Sequence, residues 1–289
     1  FSKSFKVIRP HNHLRNLGSK LMLKFPPTRL VCLSEETVET IYLLEEEKKL
    51  VGVTGYAVRP TRVRREKPRV GTFVSANIEK VKNLNPDLIL TFSDVQANLS
   101  KELIAAGFNV IAFNQRNLSE IFAMIKTIGA LLECSQKASL LVKRLKKIVD
   151  KAKLTVKPPK PRVYFEEWDQ PLISGVSWIS EIVELAGGVD VFNSKSKNSK
   201  AEGRVVSSNE VIKADPDIII GSWCGKKVNT DMISKREGWE KITAVRCNNI
   251  FEIKSSIILQ PGPAVILHGL PAVSNIITNW HECSLTSRS

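Results

Sequence analysis

One segment of the first half of the chain returns in the second half, and this repeat limits the fold more than any other feature. Residues 75–90 read SANIEKVKNLNPDLIL, and residues 207–220 read SSNEVIKADPDIII. Each copy begins with polar residues, continues as a short helix, and enters an apolar strand through Asn or Asp followed by Pro-Asp. Because Pro86 and Pro216 stand at the same place in the two copies, the repeat predicts two lobes built on one plan.

Strand-sized apolar runs alternate with amphipathic helices from Arg29 to the end of the chain. The runs are RLVCLS, KLVGVTGY, DLILTF and NVIAF in the first half, and RVYFEEW, DIIIGSW and NIFEI in the second. This alternation is typical of an α/β fold with parallel sheets and helices on both faces. Between the two series, residues 135–153 form a long amphipathic helix with Lys and Arg on its solvated face, followed by the break VKPPKP. We interpret it as a helix that bridges the lobes.

These patterns divide the chain into four parts. The division is a basic leader at 1–27, an N-terminal α/β lobe at 28–133, the bridging helix and linker at 134–157, and a C-terminal α/β lobe at 158–289. No apolar stretch approaches the roughly 18 residues that a membrane-spanning helix needs. The sequence therefore predicts no membrane span.

The charge of the chain is concentrated at its start. The net charge is +14, and residues 1–34 contain seven basic side chains and no acidic one. Such a leader is typical of a mitochondrial-type presequence or of a basic docking arm, and it lacks the apolar core of a secretory signal. The compartment is left open on this evidence.

The motifs of several enzyme classes are missing. The sequence contains no GxGxxG after a strand, no GxxxxGK[ST], no GxSxG and no HExxH. The four His residues are too scattered to predict a zinc site. The sequence does not rule out a catalytic pair in which Cys224 is the nucleophile and His268 its base. We therefore expect no catalytic residues, no metal site and no intrinsic cofactor.

Four runs carry a resemblance to a known family. RLVCLSEETVETIYLL, VGVTGY, RVGTFVSANIEKVKNLNPDLIL and VYFEEWDQPLISG resemble class III periplasmic binding proteins. This helical-backbone group includes the cobalamin- and ferric-siderophore-binding proteins of ABC importers, and the resemblance covers residues 28–282. It implies two Rossmann-like lobes joined by one long helix, with a bulky ligand, cobalamin-like or a ferric siderophore, held in the cleft between them. It also implies a periplasmic location.

Ligand clefts of α/β lobes lie at the carboxyl ends of the strands, so residues that follow strands are the candidates. Polar candidates are Ser34, Glu35, Thr72, Asp94, Glu166 to Asp169, Lys226 and Lys227. Aromatic rings at such places provide stacking surface for a flat ligand. The predicted ligand-binding residues are Tyr56, Phe73, Phe92, Trp168, Trp178, Trp223 and Gln260. We expect loss of the Trp168 or Trp223 ring to weaken ligand binding with little loss of stability.

The partners follow from the resemblance and from charge. The family docks on an ABC importer permease through one Glu on each lobe; Glu79 matches the first, and Glu210 is the nearest residue to the second. A second hypothesis makes the same fold a non-catalytic interaction subunit of a larger, organellar assembly. That subunit would contact its partners through the basic leader and through the loop side chains Arg59, Arg62, Arg64 and Arg65. RNA is an alternative partner for these arginines, although no nucleic-acid motif accompanies them.

Overall fold

The first lobe is built on a parallel five-stranded sheet. The computed structural model describes residues 24–286, so most of the predicted basic leader lies outside the described residues. The strands are β1 (Leu30–Cys32), β2 (Leu50–Thr54), β3 (Arg69–Gly71), β4 (Leu88–Phe92) and β5 (Val110–Phe113). They lie in the order β3-β2-β1-β4-β5. The order reverses between β1 and β4, which opens a crevice at the carboxyl ends of these two strands.

Helices cover both faces of this sheet. They are α1 (Glu35–Leu43), α2 (Val63–Glu66), α3 (Ile78–Asn83), α4 (Ala97–Ala105) and α5 (Leu118–Leu131). Asn77 and Asn117 cap α3 and α5, because each side chain accepts a hydrogen bond from a backbone N–H of the first turn. The predicted bridging helix is present as α6 (Ser135–Leu154) and is followed by the proline-containing linker.

The second lobe repeats the plan with one departure. Its strands are β6 (Arg162–Asp169), β7 (Leu172–Ser174), β8 (Val189–Asp190), β9 (Ile218–Gly221) and β10 (Ile250–Glu252), in the order β10-β9-β6-β7 with β8 also paired to β6. The predicted parallel pairing holds for β6 with β8 and β9 and for β9 with β10, whereas β7 runs antiparallel to β6. Only Gln170 and Pro171 separate the two strands, and a connection that short allows a hairpin but not a crossover.

The helices of the second lobe are mostly short. They are α7 (Ser177–Leu185), α8 (Asn193–Ser196), α9 (Ser208–Ala214), α10 (Thr230–Ser234), α11 (Thr243–Arg246), α12 (Ser255–Ile258) and α13 (Leu270–Thr286). A π-helical turn, Val265–Gly269, leads into α13. Pro271 has no backbone N–H to donate to the preceding turn, which accounts for the wider turn at this place. No described helix has the length and hydropathy of a membrane span.

The repeated Pro-Asp segment makes the same corner in both lobes. Asp87 accepts a hydrogen bond from the backbone N–H of Arg29 (3.1 Å), and Asp217 accepts one from the backbone N–H of Arg162 (2.8 Å). The residues before the two prolines, Asn85 and Asp215, both adopt positive φ, a conformation that Asn and Asp tolerate better than most residues. The repeat therefore fixes the starting edge of each sheet.

One hydrophobic core runs through both lobes. Side chains of β1, α1 and α5 pack with those of α6, and the same cluster continues into α7, β9 and α13. Each lobe adds a smaller cluster of its own on the other face of its sheet. Because side chains of both lobes pack in one core together with α6 and α13, the relative motion of the lobes is restricted. The division of the chain at 28, 134 and 158 stays a prediction.

Candidate functional site

A cavity of about 450 Å³ lies between the carboxyl ends of the two sheets. This volume falls in the range of small-molecule sites. The first lobe contributes Phe73, Phe92, Asp94, Val95 and Arg116, and the second contributes Glu167, Val176, Trp178, Ser199, Lys200, Arg204, Cys224 and Leu259 among others. The cavity wall thus combines rings and aliphatic side chains with two arginines and their acidic partners.

The first-lobe wall is set by the loops that follow β4 and β5. The side-chain amide of Gln96, at the start of α4, donates to the carbonyl oxygens of Leu33 and Phe73, which holds the Phe73 loop against the sheet. Arg116 lies 5.6 Å from the centre of the Phe92 ring, and its guanidinium is 2.5 Å from a carboxylate oxygen of Asp94. Partial burial opposes ionisation of Asp94, but the hydrogen bond and charge of Arg116 outweigh it and lower its pKa.

The second-lobe wall depends on Arg204. This side chain is buried, donates to the carboxylate of Glu167, and also donates to the backbone carbonyl of Ser174 in β7. Arg204 therefore fixes the hairpin and presents Glu167 to the cavity as half of a neutralised pair. Cys224 adds an exposed thiol to the same wall. The cavity wall still removes part of the water around the sulfur, and this partial desolvation, followed by the charges of Glu35 and Glu167, raises the pKa of the thiol, so the protonated form is favoured.

The predicted aromatic residues separate into three environments. Phe73, Phe92 and Trp178 line the cavity, although the Trp178 indole is nearly buried and donates to the carbonyl of Ile258 (2.9 Å). Tyr56 is half-exposed and is not among the lining residues. Trp168, in β6, donates to the carbonyl of Gln170 and is covered by a lysine ammonium.

Trp223 differs from the expectation of an open stacking ring. The side chain is 3% exposed, packs in the smaller core of the second lobe, and donates its indole N–H to Glu166 (3.1 Å). Glu166 also accepts from the guanidinium of Arg236 (2.9 Å). The residue follows β9 as predicted, but its side chain points into the lobe. Its binding role therefore has no support from the geometry.

Lys226 and the acidic residues near Trp168 belong to one lobe. The Lys226 ammonium is 2.6 Å from a carboxylate oxygen of Asp169 and 4.3 Å from the centre of the Trp168 ring. Its charge is therefore neutralised inside the second lobe and does not face an opposite charge across the cleft.

Arg59 and Arg62, predicted as contacts of a larger assembly, both have acidic partners within the chain. Arg59 is mostly buried, pairs with Glu39 (3.0 Å), and donates across the lobe junction to the carbonyl of Ser256 and to the side chain of Gln260. Arg62 pairs with two acidic neighbours of its own lobe. Gln260, predicted as a ligand-binding residue, thus serves the junction between the lobes. Arg64 and Arg65 remain exposed.

Sequence reasoning identified Glu35 as a candidate but missed the rest of the carboxyl cluster at the start of α1, Glu36 and Glu39. Burial raises the pKa of Glu35 to about 8 and that of Glu36 to about 7. Glu39 accepts from the backbone N–H of Ala264 (3.1 Å), and a side chain at Gly262 would collide with Glu36. Three acidic residues among the first five positions of α1 were visible in the sequence, but their burial follows from the segment that packs on them.

The two arginines of the cavity were also missed. Arg116 follows the end of β5 at the carboxyl edge of the sheet, and this placement was a usable signal. Arg204 comes from a loop that the β7 hairpin brings to the site, for which the local sequence holds no sign. No group of three or more His, Cys, Asp or Glu residues able to hold a metal ion occurs in the described part of the chain.

Comparisons with known proteins match this architecture. A family model described as "Periplasmic binding protein" matches residues 30–257. An uncharacterized ABC transporter substrate-binding lipoprotein of Bacillus subtilis is 29% identical over 253 residues, covering 84% of this chain and 78% of the relative. A cobalamin-binding protein of Halobacterium salinarum is 24% identical over 272 residues, covering 91% and 72%.

A solved structure shows the same fold. The crystal structure of a possible iron-binding, periplasmic solute-binding protein from Staphylococcus epidermidis superimposes with a TM-score of 0.75 and 26% identity. The match covers 87% of this chain and 99% of the other.

Proposed function

Because this chain belongs to the periplasmic binding protein family, we propose that it captures a bulky ligand, a cobalamin-like corrinoid or a ferric siderophore, between its lobes and delivers it to an ABC importer. A curated relative that covers most of the chain is named for cobalamin binding, which favours the corrinoid. No bond is made or broken in this function. The binding free energy comes from enclosing the ligand between two walls.

The cavity itself carries the proposal. Phe73 and Phe92 on one wall and Trp178 on the other offer ring surface from both lobes, so a flat ligand contacts both lobes at once. Arg116 and Arg204 supply fixed donors, each already neutralised by a carboxylate. This arrangement suits a large ligand with an apolar body and polar amide or carboxylate groups at its edge, because the two arginines already have carboxylate partners when it binds.

The importer contact is proposed at Glu79 and Glu210, which lie in the first turns of α3 and α9. The carboxylate of Glu79 is exposed, and its one ion-pair partner among residues 24–286 is Lys82 of the same helix turn (2.8 Å). Glu210 closes the capping box of α9 with Ser207 and pairs with Lys195 (3.2 Å). Glu79 is therefore the freer partner for an arginine of the permease.

The second hypothesis, an interaction subunit of a larger assembly, is less well supported. The family match and the relatives point to solute binding. Two of the four arginines on which that hypothesis relied are committed to contacts inside the chain.

The experiment is a titration of the purified chain with cobalamin and, separately, with ferric siderophores, followed by calorimetry and tryptophan fluorescence. Phe73→Ala should weaken binding of the bound ligand at least about tenfold, since it removes a stacking ring from the cavity. Phe25→Ala, which removes an exposed ring of the same kind outside the cavity, is the matched control and should leave affinity unchanged. Absence of binding to the whole panel by a folded chain would contradict the proposal.

A further inference from the structure

The outer face of the bridging helix α6 combines unpaired positive charge with exposed leucine. Residues 135–160 contain nine basic side chains and one acidic one, Asp150. The hydrophobic face of α6 is buried in the core that the two lobes share, and its buried residues are Ala138, Leu141, Val142 and Leu145. The opposite face is what the helix shows to its surroundings.

Residues on that opposite face follow helical spacing from one end of α6 to the other. We call them the basic face of α6: Leu140, Lys143, Arg144, Lys147, Lys151 and Leu154. Steps of three and four residues place them in one row that is about 21 Å long. The four basic side chains are exposed, and none forms an ion pair with another described residue.

The neighbouring charges set this row apart. Lys137, at the start of α6, is paired with Glu45 (3.5 Å) and Glu46 (3.2 Å). Lys146, on the flank, lies over the ring of Phe122 at 5.7 Å. These basic side chains have charged or aromatic partners within the chain, whereas those of the basic face form no ion pair, side-chain hydrogen bond or cation–π contact with a described residue. Its charge is therefore available to an anionic partner.

The leucines show which anionic partner the face fits. Leu140 is 63% exposed and Leu154 is 87% exposed, one at each end of the row. Apolar side chains that flank lysines suit a lipid surface, where the charges meet phosphate headgroups and the leucines reach the acyl boundary. Lysines also contact nucleic-acid phosphates, but nucleic-acid sites add amide side chains and aromatic rings on which bases stack, and the row holds neither.

We propose that the basic face of α6 binds the surface of an anionic lipid bilayer. The linker after α6 enters β6 at the start of that strand, whereas the ligand cavity lies at the carboxyl ends of the sheets. Contact with a membrane through α6 therefore leaves the cavity open. Each basic side chain close to an anionic surface strengthens adsorption by about fivefold, so four of them give measurable binding without lipid insertion.

The test is co-sedimentation of the full chain with vesicles of phosphatidylcholine mixed with phosphatidylglycerol, and with vesicles of phosphatidylcholine alone. The chain should bind the first and not the second, and binding should fall as salt rises. The charge-removing variant carries Lys143→Gln, Arg144→Gln, Lys147→Gln and Lys151→Gln. Its partition coefficient should be at least about tenfold lower than that of the natural chain.

A control variant removes the same charge elsewhere, at exposed side chains remote in sequence from α6. It carries Arg64→Gln, Lys80→Gln, Lys101→Gln and Lys235→Gln. Circular dichroism verifies that both variants are folded. The control should keep most of the vesicle binding.

Four outcomes would overturn the proposal. The first is no binding of the natural chain to anionic vesicles. The second is equal loss of binding in both variants, which would make binding a matter of net charge. The third is no loss in the α6 variant, which would assign binding to other basic residues such as those of the leader. The fourth is displacement of the chain from vesicles by duplex RNA, with tighter binding to RNA that the α6 variant loses, which would make the face a nucleic-acid site.

Discussion

Glu36→Gln tests the buried carboxyl cluster at the lobe junction. Glu36 is 2% exposed, lies in the first turn of α1, and faces Gly262 from the second half of the chain. Burial, which outweighs hydrogen bonds from the α1 start and from Gln115, raises its pKa from the ordinary 4.5 to about 7, and the charge of Glu39 adds to the rise. Glu35 shifts in the same direction. The folded chain thus keeps protons that the unfolded chain releases.

The sign follows from this difference. Stability contributed by a protonated Glu36 is fully present below a pH of about 4.5, and it is lost as the pH rises to about 7. A carboxyl with these two pKa values lowers the unfolding free energy by about 2 to 3 kcal/mol between pH values of about 5 and 8. The glutamine side chain does not titrate, so Glu36→Gln should lose that much less stability over the same interval. A constant effect of the amide at all pH values does not alter this difference.

The assay is urea unfolding at both pH values, followed by tryptophan fluorescence. Glu79→Gln is the matched control, because it makes the same chemical change at an exposed side chain. The reasoning is refuted if Glu36→Gln and the natural chain lose the same free energy of unfolding between the two pH values.

Three further substitutions test the assignment of other side chains. Trp223→Ala should lower the unfolding free energy by about 3–5 kcal/mol in denaturant titration, since its ring fills a core, and a loss below about 1 kcal/mol would contradict that placement. Arg59→Met leaves the Glu39 carboxylate buried without its cation and should cost about 3–5 kcal/mol; unchanged stability would mean that the junction does not depend on the pair. Glu210→Ala removes half of a capping box and should cost about 1 kcal/mol, whereas Asn209→Ala on the same helix should cost less.

The sequence was sufficient to predict the order of the main elements and the edge at which the cavity lies. Parallel strands place their carboxyl ends together, so Phe73, Phe92 and Asp94 could be assigned to one wall before any coordinates. Side-chain direction at the end of a strand depends on register, and for that reason Trp223 was assigned to the wrong face. Arg204 depends on a three-residue strand after a tight turn, and such an element has too few residues to show a pattern.

The two lobes keep the same contacts at the starting edges of their sheets and differ at the cavity. Asn109 donates to the carbonyl of Asp87 (3.3 Å), and Asn249 donates to the carbonyl of Asp217 (3.2 Å), so even the supporting amide is repeated. At the carboxyl edge the first lobe uses the amide of Gln96 to hold its loops, whereas the second uses buried ion pairs. Contacts at the starting edge serve the fold, and those at the other edge shape the cavity. A relative of modest identity can therefore share the fold while its ligand differs, and the ligand of this chain has to be read from its own cavity.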